Sequence, residues 1–371
     1  MEHLGIYVHI PFCVRKCAYC DFASFAGRQG DMERYADALC GEIRRRAAET
    51  GRLTADTVFF GGGTPSLLPP ELFEKIVRTL RESYHIAPDA EFTVECNPGT
   101  LTMEKAAAFV RGGVNRLSMG MQCAQSELLA RLGRIHTMED VRSAAGIARA
   151  AGIENLSLDL MLGLPGQTME DMDETLSEAL ALSPAHISCY ALIVEENTPL
   201  EREISAGRLH LPGEDMDRDM YERCRQTLMQ NGFEQYEISN FARPGRRCRH
   251  NENCWRYQPY LGFGSAAHGF FGGERRANTP SLDAYLAGAA PETEKISRDD
   301  AMFEFMMLGL RLTEGVRETD FEKTFGASLQ QTYGERLKPA LLDGRLCRRE
   351  GRVYLSEHGM DVMNSVLVAL L

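Results

Sequence analysis

Thr57-Val-Phe-Phe-Gly-Gly-Gly-Thr64 sets how the rest of the chain is read. An apolar run without alternation is the mark of a strand covered on both faces, the habit of parallel sheets. It stops at three consecutive glycines. Glycines at a strand end let backbone groups approach a ligand closely, and Thr64 adds a hydroxyl beside them.

The flanking segments repeat the pattern. Upstream, Ile6–Ile10 is a short β-rich run, and a helix spans about Met32 to Ala48 with Arg44–Arg46 near its end. Downstream, Pro69–Tyr84 reads as a helix with Pro and Glu in its first turn. Strand Glu91–Cys96, helix Met103–Arg111, strand Arg116–Met119 and helical patterns to about Ala151 follow. Strand Leu156–Leu160, helix Glu170–Leu182 and strand His186–Leu192 complete the series. Six β-α units with short links imply an α/β fold with a parallel sheet under helices. A closed eight-unit barrel takes ~250 residues, so six units in roughly 190 fit a partial (β/α)6 barrel or an open doubly wound sheet. In both, functional groups gather at the C-terminal ends of the strands. The unusual residues fall there: cysteines after strand one, the glycines after strand two, Glu95 at the end of strand three, Gln122 after strand four and Asp159 in strand five.

From about Ala301 the texture changes. Met302–Leu312 is amphipathic, Phe321–Phe325 and Leu329–Leu342 are helical, Gly344–Leu355 alternates around Glu350-Gly351, and Glu357–Leu371 is a last helix. Helices followed by a hairpin predict a small C-terminal α+β, winged-helix-like domain. The expected domains are 1–240 (the β/α core), 241–300 (a connecting segment) and 301–371. No internal repeat or low-complexity stretch is present.

Composition narrows the function classes. The chain has 371 residues and a net charge of -12, against general nucleic-acid binding through a basic surface. No apolar run approaches the ~18–20 residues that span a bilayer. The opening MEHLGIYVHIPFC lacks a basic region and a long apolar stretch, so no secretory leader is expected and the location reads as cytoplasmic. Eleven cysteines is an odd count, which full internal pairing cannot use. Without a leader, cysteines read as ligands, catalytic groups or small apolar residues. Cys40, Cys96, Cys123, Cys189, Cys224 and Cys347 stand singly inside helix or strand patterns and read as packing.

Cys13, Cys17 and Cys20 are different, spaced by three and two intervening residues. Three thiolates this close can hold three irons of a [4Fe–4S] cluster. The fourth iron is then open to the amino and carboxylate groups of S-adenosylmethionine (SAM), whose sulfonium a reduced cluster can cleave to a 5′-deoxyadenosyl radical. Two other readings stay open on spacing alone: a zinc site completed by His9, and redox-active thiols. Tyr19, just before the last cysteine, can stack on an adenine. Glu95 and Asp159 are carboxylates in apolar strands, where burial without a partner is costly; a ligand or an internal ion pair is expected.

The stretch His9-Ile-Pro-Phe-Cys-Val-Arg-Lys-Cys-Ala-Tyr-Cys-Asp-Phe22 resembles the radical SAM superfamily. It is most similar to the branch that holds oxygen-independent coproporphyrinogen III oxidase and the HemW type of haem chaperone. The resemblance covers nearly the whole chain and implies a partial radical SAM barrel. Gly61–Ser66 is similar to the glycine segment that holds the methionine part of SAM. By the same resemblance Tyr7, Tyr19, Gly62, Gly63, Thr64, Glu95, Gln122, Arg134 and Asp159 are expected to contact SAM. In the oxidase, part of this set holds a second SAM.

Three features separate chaperone from oxidase. The oxidase carries a fourth cysteine two residues after the third; here that residue is Phe22. It also has an N-terminal extension, whereas this chain reaches Cys13 almost at once. Finally, Cys248-Arg-His-Asn-Glu-Asn-Cys-Trp255 resembles the chaperone pattern His-Asn-x-x-Tyr-Trp, followed by Tyr260-Leu-Gly-Phe-Gly-Ser-Ala-Ala-His268. The resemblance implies haem handling there, with His250 as an axial ligand. Cys254 replaces the pattern's tyrosine and offers a thiolate instead. Trp255 is read equally as a porphyrin stack or core, and His268 equally as a ligand or structural. The expectation is a haem chaperone with a [4Fe–4S] cluster and SAM, passing haem as cargo to a respiratory membrane protein by peripheral contact, as a homodimer. The alternatives are coproporphyrinogen dehydrogenation, another radical SAM reaction including methyl transfer, and a zinc-stabilised binding protein.

Overall fold

The computed structural model describes residues 4–371; Met1–His3, part of the opening stretch read above, lie outside it. Six parallel strands form the centre: β1 Gly5–Ile10, β2 Thr54–Gly62, β3 His85–Cys96, β4 Arg116–Gln122, β5 Asn155–Leu162 and β6 His186–Ala191. Their order in the sheet follows the chain, each strand beside its predecessor. That is the winding of a barrel; a doubly wound sheet would reverse direction at its first strand. The open alternative is thereby set aside.

The helices between the strands are amphipathic and well bounded. They include α1 Met32–Thr50, α2 Pro70–Ser83, α3 Met103–Gly112, α4 Ser126–Arg131, α5 Met138–Ala151 and α6 Met169–Ala181. Capping boxes at Thr137/Asp140 and Thr168/Asp171 start α5 and α6. Left-handed Gly113 and Gly152 stop α3 and α5. Leu, Ile, Val and Phe of the strands and these helices share one continuous core.

Two short strands, β7 Glu234–Gln235 and β8 Asn240–Ala242, follow α7 Pro199–Ser205 and α8 Glu214–Gln230 and finish the β6 edge. After α9 Arg249–Trp255, four more strands extend the sheet on the other side, outward from β1: β9 Tyr260–Phe263, β10 His268–Phe271, β11 Glu274–Ala277 and β12 Glu292–Lys295. Residues 241–300 are therefore built into the main sheet.

The last stretch has its own core of Phe305, Met306, Phe321, Tyr333, Leu337, Val353 and Leu355. Helices Arg298–Gly309, Glu318–Phe325 and Leu329–Leu342 pack on a three-stranded sheet of Val316–Arg317, Leu346–Arg349 and Arg352–Leu355. Its hairpin turns at Glu350-Gly351, both with positive φ (52° and 71°). The expected final helix is instead two short ones, Glu357–Asp361 and Met363–Val368, broken at Val362. No helix among the described residues is long and apolar enough to cross a membrane.

Candidate functional site

The cysteine loop leaves the top of β1. Phe12–Cys13 pairs in parallel with Phe25–Ala26, so residues 13–25 return to where they started. The loop is pinned from outside: Ala18 N–H donates to Leu132 O (2.8 Å), and Leu200 N–H to Ala18 O (2.9 Å). Ala18 and Tyr19 sit on a satellite apolar cluster that includes Leu128, Leu132, Met161 and Leu192.

His9 braces the loop from inside. Its Nε2–H donates to Ala23 O at 3.0 Å, and its Nδ1 accepts the Tyr7 hydroxyl at 3.0 Å. With both nitrogens engaged, His9 has no free lone pair for a metal. Burial also lowers its pKa and keeps the ring neutral. The zinc reading therefore loses its fourth ligand. Among the described residues no three His, Cys, Asp or Glu side chains converge on a point that would hold one ion. A [4Fe–4S] cube binds each thiolate on a different iron, so it needs three cysteines spread around a mouth.

The three cysteines stand at such a mouth. They line a cavity of about 350 Å³, together with Tyr19, Gly62, Gly63, Thr64, Glu95, Gln122, Arg134 and Asp159. Strands β2 to β5 and the turns that follow them supply these groups below the loop, except Arg134, which comes from the segment between α4 and α5. Glu95 accepts the Gly62 N–H at 3.1 Å. Burial pushes its carboxyl up to about 8, and Asp159 adds to the push. Burial also raises Asp159, while Arg116, Ser188, Ser118 and Arg134 pull it back. Ser118 donates to Asp159 at 3.3 Å. Gln122 lies at a register shift where β4 meets β5, with φ of 65°, a bulge that turns a strand end toward the site.

A chain of side-chain bonds ties the floor to the cysteines. Arg134 Nη1 donates to Asn97 Oδ1 (2.7 Å), Asn97 Nδ2 to Thr64 Oγ1 (2.8 Å), and Thr64 Oγ1 to Cys13 Sγ (3.7 Å). Gln122 Oε1 and Arg134 Nε are buried without a protein partner. Such atoms in a polar cavity call for a ligand or water. Two carboxyls, one guanidinium, a glycine cradle and three thiols can hold a cationic amino-acid-like ligand below a thiolate-bound metal group.

Tyr7 is not at the cavity surface. It stands behind Gly61, where a Cβ would lie 3.1 Å from both Glu95 Oε2 and Tyr7 Cε2. Asn97, Ser118 and Tyr190 line the cavity but were not singled out from the sequence. Strand parity was the available signal for Ser118, which shares a face of β4 with Arg116 and Gly120.

The His250 segment lies elsewhere. Gly5, Thr57 and Glu91 form one row across β1, β2 and β3, and His250 rests on that row. The His9, Gly61 and Glu95 row is four residues further along, about 13 Å toward the C-terminal ends. His250 Nδ1 bonds Thr57 Oγ1 at 2.9 Å, its backbone N–H donates to Glu91 at 3.0 Å, and its ring stacks on Phe59. Burial, reinforced by Arg116, lowers its pKa to about 4. Burial pushes the Cys254 thiol up to about 12. Trp255 carries the Arg311 guanidinium over its ring at 4.4 Å, at the seam with the C-terminal domain. The cavity there is about 100 Å³, against ~300–1,000 Å³ for small-molecule sites. An iron-ligating role for His250 or Cys254 requires this packing to open.

The Tyr260–His268 segment closes on α1. The buried Glu42 accepts Gly264 N–H (3.0 Å), Asn278 Nδ2 (2.7 Å) and the Tyr285 hydroxyl (2.7 Å). Tyr35 links the Ser265 N–H to His9 O. These residues hold β1 where the cysteine loop begins. His268 is exposed on β10.

Comparison with known proteins agrees with this geometry. Residues 7–179 match the radical SAM superfamily, and residues 296–362 match the HemN C-terminal domain. The chain is 38% identical to heme chaperone HemW of Bacillus subtilis over 98% of both chains. It is 36% identical to heme chaperone HemW of Escherichia coli, covering 98% of this chain and 97% of that one. Its fold is similar to that of coproporphyrinogen III oxidase (HemN) from Escherichia coli, a radical SAM enzyme, with TM-score 0.87 and 25% identity, covering all of this chain and 90% of that one. Three cysteines on a loop after the first strand, a partial barrel and a HemN-type C-terminal domain thus come together in one assignment: the chain belongs to the radical SAM superfamily, in the HemN-like branch of the HemW haem chaperones.

Proposed function

We propose that this chain is a haem chaperone that holds a [4Fe–4S] cluster on Cys13, Cys17 and Cys20 and SAM beneath it. One observation carries the cofactor part: the three cysteines and the buried carboxyls Glu95 and Asp159 open onto the same cavity. A thiolate-bound cluster suits the mouth, and a sulfonium with an ammonium group suits the buried carboxyls. When bound, the reduced cluster supplies the electron that cleaves SAM. The protein's own part is positional. Gly62, Gly63 and Thr64 offer backbone and hydroxyl, Glu95 and Asp159 offer charge, Gln122 and Arg134 bring unpaired polar atoms, and Tyr7 backs Gly61 from behind.

The haem part rests on the similarity to proteins named heme chaperone HemW along nearly the whole chain, and on Phe22 in the position of the oxidase's fourth cysteine. Delivery to a respiratory membrane haemoprotein, a cytoplasmic location and a homodimer belong to the same proposal and rest on the family. A second reading, coproporphyrinogen dehydrogenation, is favoured by the fold match to HemN. Anaerobic reconstitution tests the cofactor set. The wild type should take up about four irons and four sulfides per chain, and a triple Cys→Ala variant none. Stoichiometric zinc without labile sulfide would refute it.

A further inference from the structure

Large apolar side chains are seldom exposed without a use when they gather around a hole. Phe22 is 62% exposed, Ile193 68%, Val14 50% and Tyr190 37%. Phe22, Tyr190 and Ile193 line the mouth of the cysteine cavity, and Val14 lies between two residues that do, Cys13 and Arg15. They come from two segments, the cysteine loop and the stretch after β6, so they collar the opening from different sides. The mouth also carries charge. Arg15 is exposed and makes no hydrogen bond or ion pair with other described residues, and Lys16 gives only one bond, to Phe22 O. Asp21 and Glu195 are the acids at the same opening.

We infer that this collar is the haem-binding site: the planar macrocycle lies across the cavity mouth on Phe22, Ile193, Val14 and Tyr190, with its propionates toward Arg15 and Lys16. The inference rests on the haem-chaperone reading above and moves the cargo from the His250 segment to the opposite end of the strands. A flat apolar ring with two carboxylates matches a ring of apolar side chains beside one unpaired guanidinium, Arg15, and the neighbouring Lys16 ammonium. A guanidinium without an internal partner is a natural carboxylate receptor. The collar offers ring contact, so affinity should depend little on the iron.

The test is titration of the full chain with haem, followed by the Soret band, and with iron-free protoporphyrin IX, followed by fluorescence. F22S/I193S should weaken haem binding by about ten-fold or more, and R15E by about three-fold or more, because both remove contact area or charge from the collar. H250A, measured well below its melting temperature, should bind as the wild type does. Melting temperatures of the collar variants, all at exposed positions, confirm that the chain is folded. Protoporphyrin IX should compete with haem at similar concentration. The placement is overturned if the collar variants stay within about two-fold of wild type, if H250A alone abolishes binding, or if haem binds about a hundred-fold tighter than the metal-free ring. A wild type that binds no haem at all defeats the chaperone reading itself.

Discussion

The His9 imidazole occupies the space that a side chain on Gly62 would need: a Cβ there would stand 2.5 Å from His9 Cε1. Gly62 also has φ of 111°, which L side chains rarely adopt. The bare glycine lets His9 brace the cysteine loop while the Gly62 N–H reaches Glu95.

Gly62→Ala should therefore disturb loop and cavity together. The expected loss is ~1–3 kcal/mol of stability in denaturant titration, with weaker SAM binding. Removing the ring as well, in His9→Ala/Gly62→Ala, should return part of the steric share but not the backbone strain. Additive losses would mean that the two residues do not compete for space.

The Glu95 carboxyl gives a pH signature. Burial raises it from 4.5 to about 8, so the ligand-free folded state keeps a proton that the unfolded chain has lost. Its contribution to stability is present below the unfolded value and is lost as pH climbs through the folded one. Binding of cationic SAM favours the ionised form and releases that proton. Affinity should rise with pH toward about 8, by up to about ten-fold per unit. Calorimetry across pH should show the rise in wild type and a flatter profile in Glu95→Gln. An identical slope in both would place the proton elsewhere.

Glu42 should prove structural. Replacing it by Ala leaves the Gly264 N–H, the Asn278 amide and the Tyr285 hydroxyl without their acceptor. The expected cost is roughly 2–5 kcal/mol in thermal or chemical unfolding, since each buried orphan donor is expensive. A loss below about 1 kcal/mol would mean that water replaces the carboxylate.

His250→Ala should act on stability as well. It removes the Thr57 bond and the stack on Phe59 from a closed site. A loss of about 2–4 kcal/mol is expected, with the Soret band of bound haem unchanged. A shifted Soret band at wild-type stability would show that the ring ligates iron.

Much of the core was legible because its signals are local. The apolar run before Gly61 and the spacing of Cys13, Cys17 and Cys20 each carry their meaning within a few residues. What was missed depends on partners far along the chain. His85–Ile86 belong to β3 because they pair with Thr54–Ala55, and the register shifts over the residues up to Glu91, where Pro88 and Asp89 hide a strand. Glu292–Lys295 is polar and exposed, and only its pairing with β11 makes it an edge strand. The bulge at Gln122 leaves no mark in the sequence. Nor does the sequence around His250 say which end of the strands it meets; Thr57 and Glu91 decide that.

On the proposed function, this radical SAM scaffold carries haem and does not oxidise porphyrinogen. The most direct measurement is a mixture of reconstituted, reduced protein with SAM, haem and coproporphyrinogen III, resolved by porphyrin analysis and gel filtration. Haem should co-elute with the protein in saturable amounts, and coproporphyrinogen should remain unchanged. Decarboxylation to protoporphyrinogen, with haem eluting free, would contradict it.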